Sequence, residues 1–290
     1  MEKDLREIRK DLKKEQRELL INKFLHNRLA MSGSVILLII VILALAAPIL
    51  SPADPLATEV TNRLVPPSAE HPFGTDAYGR DVLSRVLYGT RTSLVIGAMV
   101  ALVSGAVGTL VGLCASYYRW LDNLLMRICD GIMAIPAIVL AIAMMAVLGA
   151  SVFNLILCLS IASIPDIARV VRSKALLIRE QTYIEAVRSL GARSRRIVLG
   201  HVTPNVFSVL IVQITFTFAA AILAEAGLSF LGIGVPVPEP SLGNIIFDGK
   251  AQIYTAWWLV AFPGITMVFT VLGLNLFGDG VRDVLDPMTK

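Results

Sequence analysis

Three charged residues, Asp76, Arg80 and Asp81, stand close enough together in the sequence to suggest a catalytic cluster. Such a cluster needs a nucleophile with a neighbouring base, and no such pair accompanies these residues. The chain has three histidines: His26, His71 and His201. All of them fall outside the predicted membrane core, so an intramembrane enzyme lacks its nucleophile and base. We therefore predict no catalytic residues.

An acidic loop at residues 274–287 has the spacing of possible metal ligands. Its small and charged residues are Gly278, Asp279, Gly280, Arg282, Asp283 and Asp286. Only a short tail and no further ligands follow, so capping and turn formation is the favoured interpretation. The cysteines Cys114, Cys129 and Cys158 are odd in number, have no metal-like spacing and lie in or beside apolar segments. Neither a disulfide framework nor a metal site is predicted.

A few polar residues interrupt the apolar segments and are candidates to line a water-filled path. We select Gln213, Thr217 and Glu225, although a threonine can also bond to the preceding turn of its own helix. Glu225 lies near the outer end of a predicted span, where it is either a functional group or the partner of a neighbouring chain. For Asp130, at a membrane boundary, hydration or pairing is favoured over a role in the path.

The composition requires a membrane environment for these residues. The chain has 290 residues, of which 56% are hydrophobic, and a mean hydropathy of +0.72, well above a soluble domain. Its net charge of +4 does not indicate nucleic acid, because Lys and Arg cluster at the ends of apolar runs, as in cytoplasmic loops. The first apolar run follows about thirty residues of charged helix and is long enough to span, so it is not expected to be a cleaved signal peptide.

We predict an all-α polytopic membrane protein with six transmembrane helices and both termini in the cytoplasm. The spans are expected at 31–50, 92–117, 128–148, 153–170, 205–228 and 257–277. Pro136 should kink the third, Pro165 should interrupt the fourth and Pro263 should bend the sixth. Glycines in the second span predict that it packs inside a bundle. A short helix at 81–88 is expected to lie on the outer membrane face, separate from that span.

The longest charged run between apolar segments is residues 181–205. Helical spacing places Tyr183, Val187 and Leu190 on one stripe with Ile184 beside it, which predicts a short amphipathic helix. A glycine, Gly191, follows where a helix end commonly needs positive φ. Pro204 lacks an N–H and is expected to mark a new helix start.

Residues of this run stand at the spacing of the EAA loop of ABC importer permeases: Glu185, Ala186, Val187, Gly191 and Pro204. The chain departs from that pattern at Val187, where the usual motif has alanine, and at His201 and Thr203, where aliphatic residues are usual. The outer segment HPFGTDAYGRD at 71–81, the loop EAGLSFLGIG at 225–234 and the closing residues 274–287 resemble the dipeptide, oligopeptide and nickel importers of the same family.

This resemblance implies a type I ABC importer (MetI-like) permease fold. Its parts are an N-terminal helix at 1–30, a first span at 31–50, an extracytoplasmic segment at 51–91, a core at 92–279 with a coupling loop at 177–204, and a tail at 280–290. In that family the EAA loop docks in a groove of the ATPase. The residues implied to couple are Tyr183, Glu185, Ala186, Val187, Leu190, Gly191 and Arg193.

The resemblance also implies partners: a homologous permease forming a heterodimer, two cytosolic ATPases, an extracytoplasmic solute-binding protein and membrane lipid in a bacterial cell membrane. The chain has no GxxxxGK[ST] phosphate loop, so ATP and Mg are expected on the ATPases, and this chain is not expected to hold a cofactor. The implied cargo is a di- or oligopeptide. Nickel or another small solute stays an alternative, as does a self-sufficient channel or secondary transporter.

Overall fold

The computed structural model describes residues 18–285 together with residues 12, 14 and 15, and this part of the chain is mostly helical. Its main helices are α1 (Arg28–Leu45), α2 (Val82–Tyr117), α3 (Arg119–Met133), α4 (Ala137–Leu148), α5 (Val152–Arg179), α6 (Thr182–Ser189), α7 (Thr203–Phe230), α8 (Leu242–Gly249) and α9 (Trp258–Leu285). Short helical turns lie at Ala47–Leu50, Val60–Asn62, Ser194–Ile197, Val198–Val202 and Lys250–Gln252. Residues 18–26 are also helical, and β structure in the described chain is limited to a bridge between Thr75 and Asp81.

The long helices run between two ends of a bundle, which we call the α6 end and the α8 end. Helix α7 begins close to α6 and ends beside the loop that leads into α8. At the α8 end, Leu242 of α8 packs with Trp258 at the start of α9. At the α6 end, the side-chain amide of Asn27 donates to Asp283 of α9 over 3.3 Å. The first span and the last therefore meet at the same end, which requires an even number of crossings.

Within the described residues, five helical stretches are long and apolar enough to cross a membrane, and a sixth forms if the bent pair α3 and α4 is counted as one span. The pair must connect the two ends, because α2 finishes at the α6 end and α5 begins at the α8 end. The predicted kink at Pro136 is a full break, with an angle of 88° between the two helices. Proline lacks the N–H for the helical ladder and its ring clashes with the preceding turn, and here Pro136 caps α4.

Two other prolines do not break their helices. Pro165 lies inside the continuous helix α5 and Pro263 inside α9, and both are buried. The predicted interruption at Pro165 is therefore wrong. In a bundle, neighbouring helices and local adjustment can compensate for the hydrogen bond that a proline removes.

The predicted outer helix at 81–88 and the second span form one helix, α2, of 36 residues. The helix continues through Gly89, whose missing side chain allows the backbone of Ser241 to approach: a Cβ there would lie 3.1 Å from the Ser241 carbonyl carbon. Along the rest of α2, glycines that include Gly108 and Gly112 are buried against α5. The prediction that this span packs inside the bundle is confirmed, since small residues permit close helix contact.

The acidic closing residues also differ from the expected turn, because α9 stays helical to Leu285. A Cβ on Gly280 would overlap the backbone of Ala30 in α1, and one on Gly278 would lie 3.2 Å from the Thr215 methyl. The glycines therefore serve helix packing. Asp286, with Pro287 and the last residues of the predicted tail, lies outside the described residues, as does most of the predicted N-terminal helix at 1–30.

Candidate coupling site

The candidate coupling helix α6 ends at a sharp turn, as the sequence predicts. Its last residue is Ser189, and Gly191 adopts φ +81°. The Gly191 N–H donates to the Arg188 carbonyl over 2.9 Å, and the Ala192 N–H donates to the Val187 carbonyl over 3.3 Å. No heavy atom lies within 4 Å of the place where a Gly191 Cβ would sit. The turn therefore needs glycine for its backbone angle and not for space.

The face of α6 that packs against the bundle differs from the predicted stripe. Ile184 is fully buried and packs with Ile178 of α5 and Ile197, and Val187 packs partly against the same cluster. Tyr183 and Leu190, which share the predicted stripe with Val187, are 44% and 87% exposed. Leu190 already belongs to the turn, with ψ near 6°. Helical periodicity therefore does not predict the direction in which its side chain points.

The remaining predicted coupling residues form an exposed surface. We define the coupling surface as the exposed side chains Tyr183, Glu185, Ala186, Leu190 and Arg193. It combines an aromatic, two aliphatic, an acidic and a basic side chain. Because Leu190 is exposed beside charged side chains, the coupling surface has the composition of a protein-binding patch.

The chain returns from this surface into the bundle through α7, which begins at Thr203 with Pro204 in its first turn, so the predicted helix start is confirmed. The link before it is not extended, because helical turns make the path continuous from Ser194 to Phe230. A π-helical turn at Val198–Val202 precedes the proline, and the Thr203 N–H bonds to the Val198 carbonyl. Widening the ladder by one residue makes room where Pro204 has no N–H to donate.

His201 and Thr203, where the chain departs from the EAA pattern, both have local partners. The ring of His201 lies 6.4 Å from that of Tyr183 on α6. The Thr203 hydroxyl donates to the Val198 carbonyl over 3.0 Å. Both side chains therefore have contacts close to the exit from the coupling loop.

Ion pairs attach α5, which leads into α6, to the bent helix α3. The Arg172 guanidinium donates twice to Asp122, over 2.5 and 2.6 Å, and both side chains are partly buried. Arg169 contacts Asp130 over 2.5 Å, but this pair is more exposed. The favoured interpretation of Asp130 as a paired carboxylate is thus confirmed. Arg179 also donates to the Ser116 carbonyl of α2.

The three predicted path residues lie at different depths along α7. Gln213 lines a cleft between α5, α7 and α9. Thr217 is buried, and its hydroxyl donates to the Gln213 carbonyl over 2.9 Å. Glu225 lies further towards the α8 end and is completely buried. The structure does not bring the three into one site.

Glu225 finds its partners within its own chain. The Ser93 hydroxyl of α2 donates to one carboxylate oxygen over 2.8 Å, and the Ser229 hydroxyl donates to the other over 2.7 Å. Ser241, which caps α8, in turn contacts Ser229 over 3.4 Å. The carboxylate therefore connects α2, α7 and the entry into α8.

The charged cluster at the α8 end is larger than the sequence suggests. Asp76 accepts from Arg80 over 2.6 Å, and Asp248 of α8 accepts from Arg80 over 3.1 Å and from Arg85 over 3.3 Å. The Arg85 side chain is only 1% exposed. Sequence reasoning missed Arg85 and Asp248. Arg85 could have been found, because it lies one helical turn after Asp81. Nothing in the sequence pointed to Asp248, which is 163 residues further along the chain than Arg85.

The geometry of this cluster does not suit hydrolysis. Asp81 accepts from the Ser84 hydroxyl over 2.9 Å and contacts His71 over 3.0 Å. In a hydrolytic triad the histidine lies between serine and carboxylate, so that it can take the serine proton. Here Asp81 lies between the other two. In the part of the chain that the structure describes, no three metal-ligating side chains are grouped to hold an ion.

Comparison with known protein families identifies the family to which this chain belongs. Residues 93–290 match the family described as the binding-protein-dependent transport system inner membrane component. Residues 17–67 match the N-terminal TM domain of oligopeptide transport permease C. The first match spans more than half of the chain. The protein therefore belongs to the family of binding-protein-dependent inner membrane components and is a permease subunit of an ABC importer.

Individual relatives extend over nearly the whole chain. A putative peptide transport system permease protein of Brucella abortus biovar 1 is 47% identical over 280 residues, covering 97% of this chain and 95% of the relative. The dipeptide transport system permease protein DppC of Alkalihalophilus pseudofirmus is 43% identical, covering 91% of this chain and 87% of the relative.

A solved structure confirms the predicted fold. A chain of the MetNI methionine ABC transporter, in an inward-facing crystal form, superposes with a TM-score of 0.57 at 23% identity. The match covers 69% of this chain and 95% of that chain. The MetI-like permease fold expected from the resemblance is therefore present.

Proposed function

We propose that this chain is a permease subunit of an ATP-driven importer of di- or oligopeptides, and that it forms the translocation path with a homologous permease. The observation that carries this proposal is the set of relatives described as peptide and dipeptide permeases, at 43–47% identity over nearly their full lengths. Shared sequence of this extent supports a shared cargo class. The partner permease supplies the other half of the path.

We place the α6 end in the cytosol of a bacterial cell, with both termini on that side. Arginines gather there on α5, α6 and the following turn, including Arg172, Arg188, Arg193, Arg195 and Arg196. Such an excess is typical of cytoplasmic loops. The α8 end then faces outward and receives the solute-binding protein.

The coupling surface is the proposed contact with one of the two cytosolic ATPase subunits, which bind ATP and Mg. Glu185 and Arg193 offer charges of opposite sign, and Tyr183, Ala186 and Leu190 offer apolar contact. Val187 supports the helix from inside, and Gly191 sets the turn. The chain itself has no phosphate loop, so energy must come from these partners.

Helix α5 is the proposed element that carries ATPase movement into the membrane. It is continuous for 28 residues up to Arg179, next to α6, and Arg172 fixes it to Asp122 of α3. A shift of α6 therefore moves α5 and the broken span of α3 and α4 together. Alternating access follows as a rearrangement between two packed states that nucleotide biases.

The test is reconstitution of the purified complex in liposomes with its binding protein. We expect uptake of a radiolabelled dipeptide that requires ATP on the cytosolic side. Uptake of nickel without uptake of peptide would select the metal cargo instead. Uptake by this chain alone, without an ATPase, would replace the proposal with a self-sufficient transporter.

A further inference from the structure

The basic residues of α5 near the α6 end divide into two groups. Three of them have partners on the side of α2 and α3: Arg169 with Asp130, Arg172 with Asp122, and Arg179 with the Ser116 carbonyl. Lys174 lies on another side of α5, where it lines the cleft between α5, α7 and α9. Within the described chain no hydrogen bond or ion pair of Lys174 is found.

The cleft has a volume of about 450 Å³ and brings a second cation to Lys174. That cation is Arg282, in the last turn of α9, which likewise has no ion-pair partner among the described residues. Ser208 and Gln213 add hydrogen-bonding groups, and Phe216 adds an aromatic wall. Further apolar lining comes from Val209, Val212 and Leu285.

This lining has the properties of a site for a small amphipathic anion. Small-molecule sites are clefts of about 300–1,000 Å³, with mostly apolar walls and a few polar groups that fix orientation. Two cations from separate helices can hold one carboxylate through charge-assisted hydrogen bonds. Gln213 can bond an amide, and Phe216 with the two valines can cover an apolar side chain.

We propose that this cleft binds the C-terminal carboxylate of a peptide on the cytosolic side of the path, with Lys174 and Arg282 as the carboxylate-binding residues. The inference rests on the proposed function for the cargo and for the orientation of the α6 end. It adds a binding site that is formed by this chain alone.

The test measures binding of radiolabelled alanyl-phenylalanine and of its C-terminal amide to the complete importer in nanodiscs of zwitterionic lipid, without the binding protein. We expect the amide to bind about tenfold more weakly, since it offers the two cations no carboxylate for charge-assisted hydrogen bonds. The double variant Lys174→Gln with Arg282→Gln should bind acid and amide alike. Arg127→Gln, which removes an exposed charge from α3, should behave like the unaltered protein.

Equal binding of acid and amide by the unaltered complex, or a preference for the acid that survives the double variant, overturns the proposal. Anionic lipid that copurifies with the unaltered complex and displaces the peptide, but is lost from the double variant, would assign the cleft to a lipid headgroup instead. A measurement of ATP-driven uptake with the binding protein distinguishes failure of this site from failure of the proposed function. Normal peptide uptake without acid-selective binding removes only this site, whereas absence of peptide uptake removes the proposed function.

Discussion

The two ends of the bundle are held together by different interactions. At the α8 end, Arg85 and Glu225 are buried and bonded to partners from distant parts of the chain. At the α6 end, the coupling helix is held by apolar contacts, with Ile184 fully buried and Val187 partly packed beside it, and it leaves Tyr183 and Leu190 exposed. Buried polar networks need every partner in place, whereas the hydrophobic effect has no preferred direction.

This difference fits the work that each end is proposed to do. A buried ion-pair network fixes the positions of the segment around Asp76, of α2 and of α8 relative to one another. An apolar anchor with an exposed polar surface can move as one piece with a partner and still remain attached. We therefore propose that the α8 end acts as a rigid platform and the α6 end as a movable connection.

The largest effect is expected from Gly191→Val, which attacks the movable connection. The turn holds φ +81° at Gly191, and a β-branched residue there costs about 1–3 kcal/mol of strain. We expect uptake to be abolished while membrane insertion stays normal, as measured by transport in vesicles and by the amount of protein in the membrane. The matched control is Gly131→Val, since Gly131 also has open space around it but a helical backbone.

Two outcomes would contradict this expectation. Normal uptake by Gly191→Val would show that the turn geometry is dispensable. Loss of membrane insertion would assign Gly191 a role in folding and not in coupling.

Next in size is the effect of Arg85→Met, which attacks the platform. The substitution leaves Asp248 and Asp76 with one cation fewer in a buried site, and breaking a buried pair costs about 3–5 kcal/mol. We expect the purified complex to lose stability to heat, measured by thermal unfolding in detergent. Arg91→Met, which alters an exposed arginine on the same helix, should leave the unfolding temperature unchanged. An equal loss for both variants would remove the contrast between the ends.

A smaller effect is expected from the pair that ties α5 to α3. Reversing Asp122→Arg alone places two cations together, and the double variant Asp122→Arg with Arg172→Asp restores a pair. We expect the single variant to lower uptake and the double variant to recover part of it, since a partly buried bidentate pair contributes about 1 kcal/mol. The same exchange at the more exposed pair of Arg169 and Asp130 should change uptake little. Failure of the double variant to recover would indicate that α5 acts without α3.

The apolar pattern predicted the spans, and the position of Gly191 predicted the turn, because both depend on neighbouring residues. The sequence-based predictions were wrong where contacts between residues distant in the sequence determine the local structure. The closing glycines resemble turn residues until Gly280 is seen against Ala30 of α1. The predicted helix at 81–88 and the second span are one helix, in which Gly89 packs against Ser241. Such contacts leave no local periodic signal.

The features of the candidate site likewise fall into those that local spacing predicted and those that depend on distant contacts. Exposure of Glu185 follows from helical spacing, but the choice between Tyr183 and Ile184 as the anchor depends on Ile178 and Ile197, which lie on other elements. Asp248 was missed for the same reason, since its partner Arg85 is 163 residues away. The spacing of residues in a single sequence does not predict pairings between residues that are distant along the chain.

The proposed docking of the ATPase on α6 is tested most directly by copurification. The tagged protein is isolated from its native membrane in mild detergent, and the bound proteins are identified and quantified by mass spectrometry. Glu185→Arg reverses a charge on the coupling surface, and Glu239→Arg reverses an exposed charge at the α8 end. We predict that the unaltered chain and Glu239→Arg retain both the ATPase and the second permease, while Glu185→Arg keeps the permease and loses most of the ATPase. Equal ATPase in all three samples, or a chain that purifies alone and still transports, would contradict the account.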